Sequence, residues 1–133
     1  MTVNKKQELA KYLLVTLNER LGWRPAFHLP ALPHYVKLGF EIWSGRLVET
    51  DCLFFFSKDS EDITVLFLEK QLRALRQKVQ YPVVFVFDSL PTRTTQRLVK
   101  RKIPFVVICR QIYLPFLLVN LQQERNELVP RIL

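Results

Sequence analysis

The segment VVFVF (Val83–Phe87) is the clearest indication of the fold class, because it is an uninterrupted apolar run of strand length. A strand without polar alternation is typical of a sheet that helices cover on both faces. The flanking patterns predict one helix from about Asp62 to Gln80 and another from Pro91 to about Lys102. A second apolar run, from Ile103 to Ile108, predicts another buried strand.

The helix predicted before Val83 has the clearest periodicity in the chain. Its apolar positions are spaced by three and four residues, which places them on one face of a helix. These positions are Val65, Leu68, Leu72, Leu75 and Val79. Near the amino terminus, leucines recur every four residues and predict a first helix from Asn4 to about Leu21, which Gly22 ends.

The segments between and after these helices give weaker signals. Three prolines from Trp23 to Pro33 predict an extended connector without regular structure. Residues 35–56 predict a three-stranded antiparallel meander with a turn at Ser44-Gly45. After the last buried strand, the apolar run Tyr113–Val119 precedes a polar stretch that we expect to be helical.

Together these elements predict the order α-β-β-β-α-β-α-β, an α/β fold whose mixed sheet is covered by helices. This is the order of the restriction-endonuclease-like core. The length of 133 residues, with 49% of them hydrophobic, suits a single domain over residues 1–133.

Active nucleases of that type bind Mg²⁺ through an acidic residue near the second strand and an acidic-x-Lys pair in the third. The candidates here are Glu49, Asp51 and Lys58, but no carboxylate stands two residues before Lys58. We therefore expect no catalytic residues and no nuclease activity, and we interpret the three side chains as solvated strand ends.

Other chemistry-bearing residues also lack partners in the sequence. Asp88 ends a buried strand, where it is either a ligand-binding group or, with Ser89, a helix cap. His28 and His34 lack further ligands at a recognisable spacing, so no metal site is predicted. With three glycines there is no Gly-rich phosphate loop, and no cofactor is predicted.

The two cysteines, Cys52 and Cys109, are too few for a disulfide framework and are interpreted as small buried apolar residues. No apolar stretch approaches the roughly 20 residues of a membrane helix, and no signal-peptide pattern is visible. These observations predict a cytoplasmic domain with no membrane partner.

Positive charge is the main electrostatic feature, with a formal net charge of +8 and a pI of about 9.8. It is concentrated between Lys70 and Arg110, where Asp88 is the single acidic residue. Four of these charges share one face of the second predicted crossover helix: Arg93, Arg97, Lys100 and Arg101. This stripe is either a contact for nucleic-acid phosphates or the solvated face of an amphipathic helix.

Two stretches together carry a family resemblance. They are YPVVFVFDSLP (Tyr81–Pro91) with the basic helix after it, and IPFVVICRQIYLPF (Ile103–Phe116). The upstream segment LPALPHY (Leu29–Tyr35) also fits. They resemble the N-terminal region of bacterial transcriptional regulators described as MarR-like or helix-turn-helix regulators, over most of residues 25–120.

The resemblance implies that a winged-helix DNA-binding module follows this region. We therefore expect the N-terminal domain of a longer chain, with a non-enzymatic role in dimerisation or sensing and with DNA bound mainly by the absent module. The apolar residues Leu114 and Phe116 to Val119 either join a second copy or that module, or pack into this domain's own core. The alternative functions are a degenerate nuclease fold that binds nucleic acid through the basic helix face, and a metal-dependent nuclease with a displaced site.

Overall fold

A computed structural model describes residues 2–24, 39–58 and 64–122 of the chain. The helices of this part are α1 (Thr2–Leu17), α2 (Val65–Lys78) and α3 (Thr92–Lys100). Its strands are β1 (Leu21–Arg24), β2 (Phe40–Leu47), β3 (Thr50–Ser57), β4 (Val83–Phe87), β5 (Phe105–Val107), β6 (Gln111–Leu114) and β7 (Val119–Gln122). A 3-10 turn, Pro115–Leu117, links the last two strands.

All seven strands belong to one sheet, and their order across the sheet is their order along the chain. β1, β2 and β3 are antiparallel, as are β5, β6 and β7. The central strands β3, β4 and β5 are parallel, and α2 and α3 are the crossovers between them. The predicted class, a mixed α/β sheet covered by helices, is confirmed.

Helices cover both faces of the sheet. In β3, Leu53 and Phe55 pack on the side of α2 and α3, whereas Phe54 and Phe56 pack on the side of α1. All five residues of β4 are buried, as the unbroken apolar run predicts. Burying each phenylalanine side chain contributes about 1.5–3 kcal/mol, so the sheet centre supplies much of the stability.

Helix α2 forms as its periodicity predicts. All five predicted apolar positions are buried. Thr64 caps the helix, because its side-chain oxygen accepts a hydrogen bond from the Phe67 backbone N–H at 3.1 Å. The helix ends at Lys78, where Val79 turns to an extended conformation.

The predicted meander is wrong in its turn and its strand count. Ser44 and Gly45 lie inside β2, and both are buried. The chain turns at Val48-Glu49 instead, with φ of 49° and 60°, and the described part of residues 35–56 holds two strands. Glycine fits this strand position because its neighbours leave little room for a Cβ, which would lie 3.0 Å from Leu21 Cδ1 and 3.2 Å and 3.3 Å from the rings of Phe54 and Trp23.

The first helix is shorter than predicted. Asn18 adopts a left-handed φ of 58° and donates its N–H to the Leu14 carbonyl at 2.9 Å, which ends α1. Leu21 and Trp23 then form β1, where an extended connector was predicted to begin. The rest of the predicted connector lies outside the described residues, apart from Arg24 at the end of β1.

The apolar residues after β5 divide between the core and the surface. Leu114 is fully buried in β6, and Phe116, Leu117 and Val119 are partly buried on the α1 side. Leu118 is 95% exposed. The polar stretch predicted as helical begins with β7 and otherwise lies outside the described residues. None of the described helices is long and apolar enough to cross a membrane.

Candidate nucleic-acid interface

Helix α3 presents three cations directly away from the core. Thr95 and Leu98 are its buried residues, and Arg93, Arg97 and Lys100 are exposed. At 100° per residue these three lie within about 60° of one another and opposite the buried pair. They extend over about 10.5 Å of helix axis, compared with about 3.4 Å of rise per phosphate on one DNA strand. The arrangement can therefore contact successive phosphates of one strand.

Arg101 does not belong to this stripe. It is the C-cap residue of α3, and its guanidinium is 2.8 Å from the carboxylate of Glu69 on α2. The pair is partly solvated, so it contributes at most about 1 kcal/mol to stability. The pair matters more for the surface charge, because Arg101 neutralises Glu69, the single acidic residue of α2 and α3.

Helix α2 extends the positive surface. Its Lys70 and Arg73 are exposed on the same side of the sheet as α3. We call Lys70, Arg73, Arg93, Arg97 and Lys100 the basic helix face. The concentration of positive charge between Lys70 and Arg110 already included the α2 cations. The sequence did not show, however, that both helices cover one side of the sheet.

The candidate nuclease residues do not come together. Glu49 is in the β2–β3 turn and Asp51 is the second residue of β3, where it is 3.6 Å from the Arg46 guanidinium. Lys58 follows the other end of β3, and its N–H bonds to the Gly39 carbonyl at 3.1 Å. At about 3.3 Å per strand residue, Asp51 and Lys58 are roughly 23 Å apart along β3.

Asp88 is not the cap of α3, which was one of the two roles that the sequence left open for it. Pro91 occupies the N-cap of α3 and makes no side-chain cap hydrogen bond. The Asp88 carboxylate instead pairs with the Lys5 ammonium at 3.0 Å, and the same ammonium is 3.5 Å from the Ser57 carbonyl oxygen. Lys5 therefore ties α1 to the carboxyl ends of β3 and β4.

The two cysteines differ in environment. Cys52 is fully buried, as predicted, and burial, with a smaller effect of the adjacent Asp51, raises its pKa to about 12. Cys109 is exposed in the β5–β6 turn, so the prediction that it is buried is wrong. Its backbone adopts a left-handed φ of 66°.

Metal ligands are not grouped in the described residues, which contain no cluster of three His, Cys, Asp or Glu side chains able to hold a metal ion. His28 and His34 lie outside the described residues.

Comparison with known proteins finds no matching family model, curated protein or solved structure. The resemblance to MarR-like regulators therefore stays a prediction from the quoted motifs.

Proposed function

We propose that this chain is a non-enzymatic domain of a bacterial, cytoplasmic DNA-binding regulator and that it contacts nucleic-acid phosphates weakly through the basic helix face. The observation that carries the phosphate contact is the outward stripe of Arg93, Arg97 and Lys100, together with the neutralisation of Glu69 by Arg101. The regulator context is supported by the motif resemblance alone.

A restriction-endonuclease-like origin is part of the proposal. Its support is the order of α1, three strands, α2 and β4, with β3 and β4 parallel. The separation of Glu49 and Asp51 from Lys58 supports a degenerate version without cleavage. Incubating the protein with plasmid and Mg²⁺ or Mn²⁺ tests this. Cleavage that disappears in Asp51→Ala would contradict it.

The phosphate contact predicts the salt dependence of binding to duplex DNA. Contact through phosphates alone gives dissociation constants of about 10⁻⁴ to 10⁻⁶ M at physiological salt and no sequence preference. Replacing Arg93 and Arg97 by Ala should reduce the slope of log affinity against log salt by about 1.8 units, since each contact contributes about 0.9.

The matched control removes two exposed cations that lie outside the basic helix face, Lys11 on α1 and Arg20 after it. Lys11→Ala/Arg20→Ala changes the net charge equally and should leave the slope unchanged. Equal slopes for the two double variants would show that binding follows net charge, and the proposed interface would then be wrong. Tight, sequence-specific binding by this chain would also contradict the proposal.

Self-association is a second candidate, favoured by the exposed edge next to Leu118. In the described part of the chain β7 pairs only with β6, and its residues Val119–Gln122 carry no charge. Uncharged edge strands readily pair with another chain, and the occupant we propose is β7 of a second copy. Sedimentation should show a dimer that Leu118→Asn weakens, because Asn tolerates the left-handed φ of 59° but is polar. A monomer at high protein concentration would exclude this candidate.

A further inference from the structure

A cavity of about 750 Å³ lies where α2 ends and where β4 and β5 begin. Small-molecule sites in proteins are typically about 300–1,000 Å³. Its apolar lining includes Leu72, Val79 and Val83, which are at most 7% exposed. The cavity therefore offers an apolar surface to a ligand of moderate size.

Three prolines and one aromatic ring form part of the cavity wall. They are Pro82, Pro104 and Pro115, together with the partly buried ring of Phe116. Proline has no backbone N–H and a fixed φ, so these positions supply shape and apolar contact with little loss of entropy on binding. Such walls favour a flat apolar body over a polar one.

Among the described residues that line the cavity there are two cations and no acidic residue. Arg76 comes from α2 and Lys102 from the turn after α3, and both are exposed. Neither forms a salt bridge with any described residue. Lys102 is held there in a left-handed φ of 59° by a hydrogen bond from its N–H to the Val99 carbonyl at 3.0 Å.

We propose that this cavity binds a small amphipathic anion, with a flat apolar body and a single carboxylate, sulfonate or phosphate. The body contacts Val83 and Phe116, and the anionic head lies between Arg76 and Lys102. The site is separate from the phosphate contact proposed above, because Arg93, Arg97 and Lys100 do not line it.

The probe for this proposal is anilinonaphthalene sulfonate, whose fluorescence rises when its aromatic body leaves water. We expect saturable binding at one site. Arg76→Gln and Lys102→Asn should each raise the dissociation constant about threefold, and the double variant about tenfold, as expected for partly exposed ion pairs. Asn is chosen at Lys102 because it tolerates the left-handed backbone.

The matched control is Arg73→Gln, which removes the same charge from α2 but lies outside the cavity lining. It should bind the probe like the wild type. Phenylnaphthylamine, the uncharged analogue, should bind more weakly and with no response to the double variant. Circular dichroism of each variant establishes that these exposed substitutions leave the fold intact.

The proposal would be overturned by an equal loss of probe binding in Arg73→Gln, by equal affinity for the charged and uncharged probes, or by displacement of the probe by inorganic phosphate alone. Displacement of the probe by short duplex DNA would assign the cavity to the DNA interface, and it would contradict the proposal that the two sites are separate. Loss of DNA binding in Arg93→Ala/Arg97→Ala, with probe binding retained, separates this proposal from the phosphate contact.

Discussion

The two-residue turn between β2 and β3 offers a test of the strand register, because two alternative registers predict opposite changes in the free energy of unfolding. Val48 and Glu49 both adopt left-handed φ angles, the requirement of a type I′ hairpin turn, for which Asn-Gly is the preferred sequence. A left-handed conformation costs an L-residue roughly 1–2 kcal/mol. Replacing Val48 by Asn and Glu49 by Gly should therefore relieve strain at both positions.

The net gain is smaller than the strain, because glycine also gives the unfolded chain more freedom, at a cost of roughly 0.5–1 kcal/mol. We expect Val48→Asn/Glu49→Gly to raise the free energy of unfolding by about 1 kcal/mol, and the melting temperature by about 3 °C for a chain of this size. Urea denaturation monitored by the fluorescence of Trp23 and Trp43 measures the first quantity, and calorimetry measures the second.

The control is Val48→Ala, which removes the β-branched side chain but gains none of the left-handed tolerance of Asn. It should recover less stability than Val48→Asn. If the chain turned at Ser44-Gly45, Val48 would lie in a strand, and Asn would destabilise the protein because strands disfavour it. A loss of stability in Val48→Asn would therefore refute the β2–β3 register.

Three further predictions concern buried groups. Gly45→Ala should lower the free energy of unfolding by about 1–3 kcal/mol through overpacking. In the control Gly39→Ala the added Cβ meets nothing within 4 Å, so the free energy of unfolding should not fall in this way. Equal losses of stability in the two variants, measured by denaturation, would contradict the packing over β2. In the native protein a thiol reagent should modify Cys109 rapidly and Cys52 only after unfolding; equal rates would contradict the burial of Cys52. Since the Cys52 pKa is raised to about 12, its thiol ionises first in the unfolded chain, so stability should fall above about pH 8.5 and fall less in Cys52→Ala.

The sequence predicted the elements whose signal is local. The apolar face of α2 and the buried strand β4 follow from the spacing of residues that are near one another in the chain, and both are confirmed. The β2–β3 turn was missed because Ser44-Gly45 has better turn chemistry than Val48-Glu49. Cross-strand pairing and the rings over Gly45 outweigh that local preference.

The same distinction applies to the candidate interface, where the local pattern could be predicted and the long-range contacts could not. The helical spacing of Arg93, Arg97 and Lys100 was enough to place them on one face. The partner of Arg101 could not be predicted, since Glu69 is 32 residues away and the contact depends on how α2 and α3 pack. The Lys5–Asp88 pair was missed for the same reason, because it joins the first turns of α1 to the end of β4.

The strand order of the sheet has a consequence for how the chain folds. Because each strand pairs with the strand that precedes it, the sheet can grow by addition at one edge as the chain leaves the ribosome, amino-terminal part first. Among the described strands, no later one has to insert between two that have already paired. Pairing between strands that are adjacent in sequence lowers the entropic cost of closing the connecting loops, so the seven described strands should form their sheet quickly. We expect the folding barrier at the formation of the parallel pair β3–β4. The connection between these two strands, which contains α2, is the longest of the connections that follow β2 in the chain.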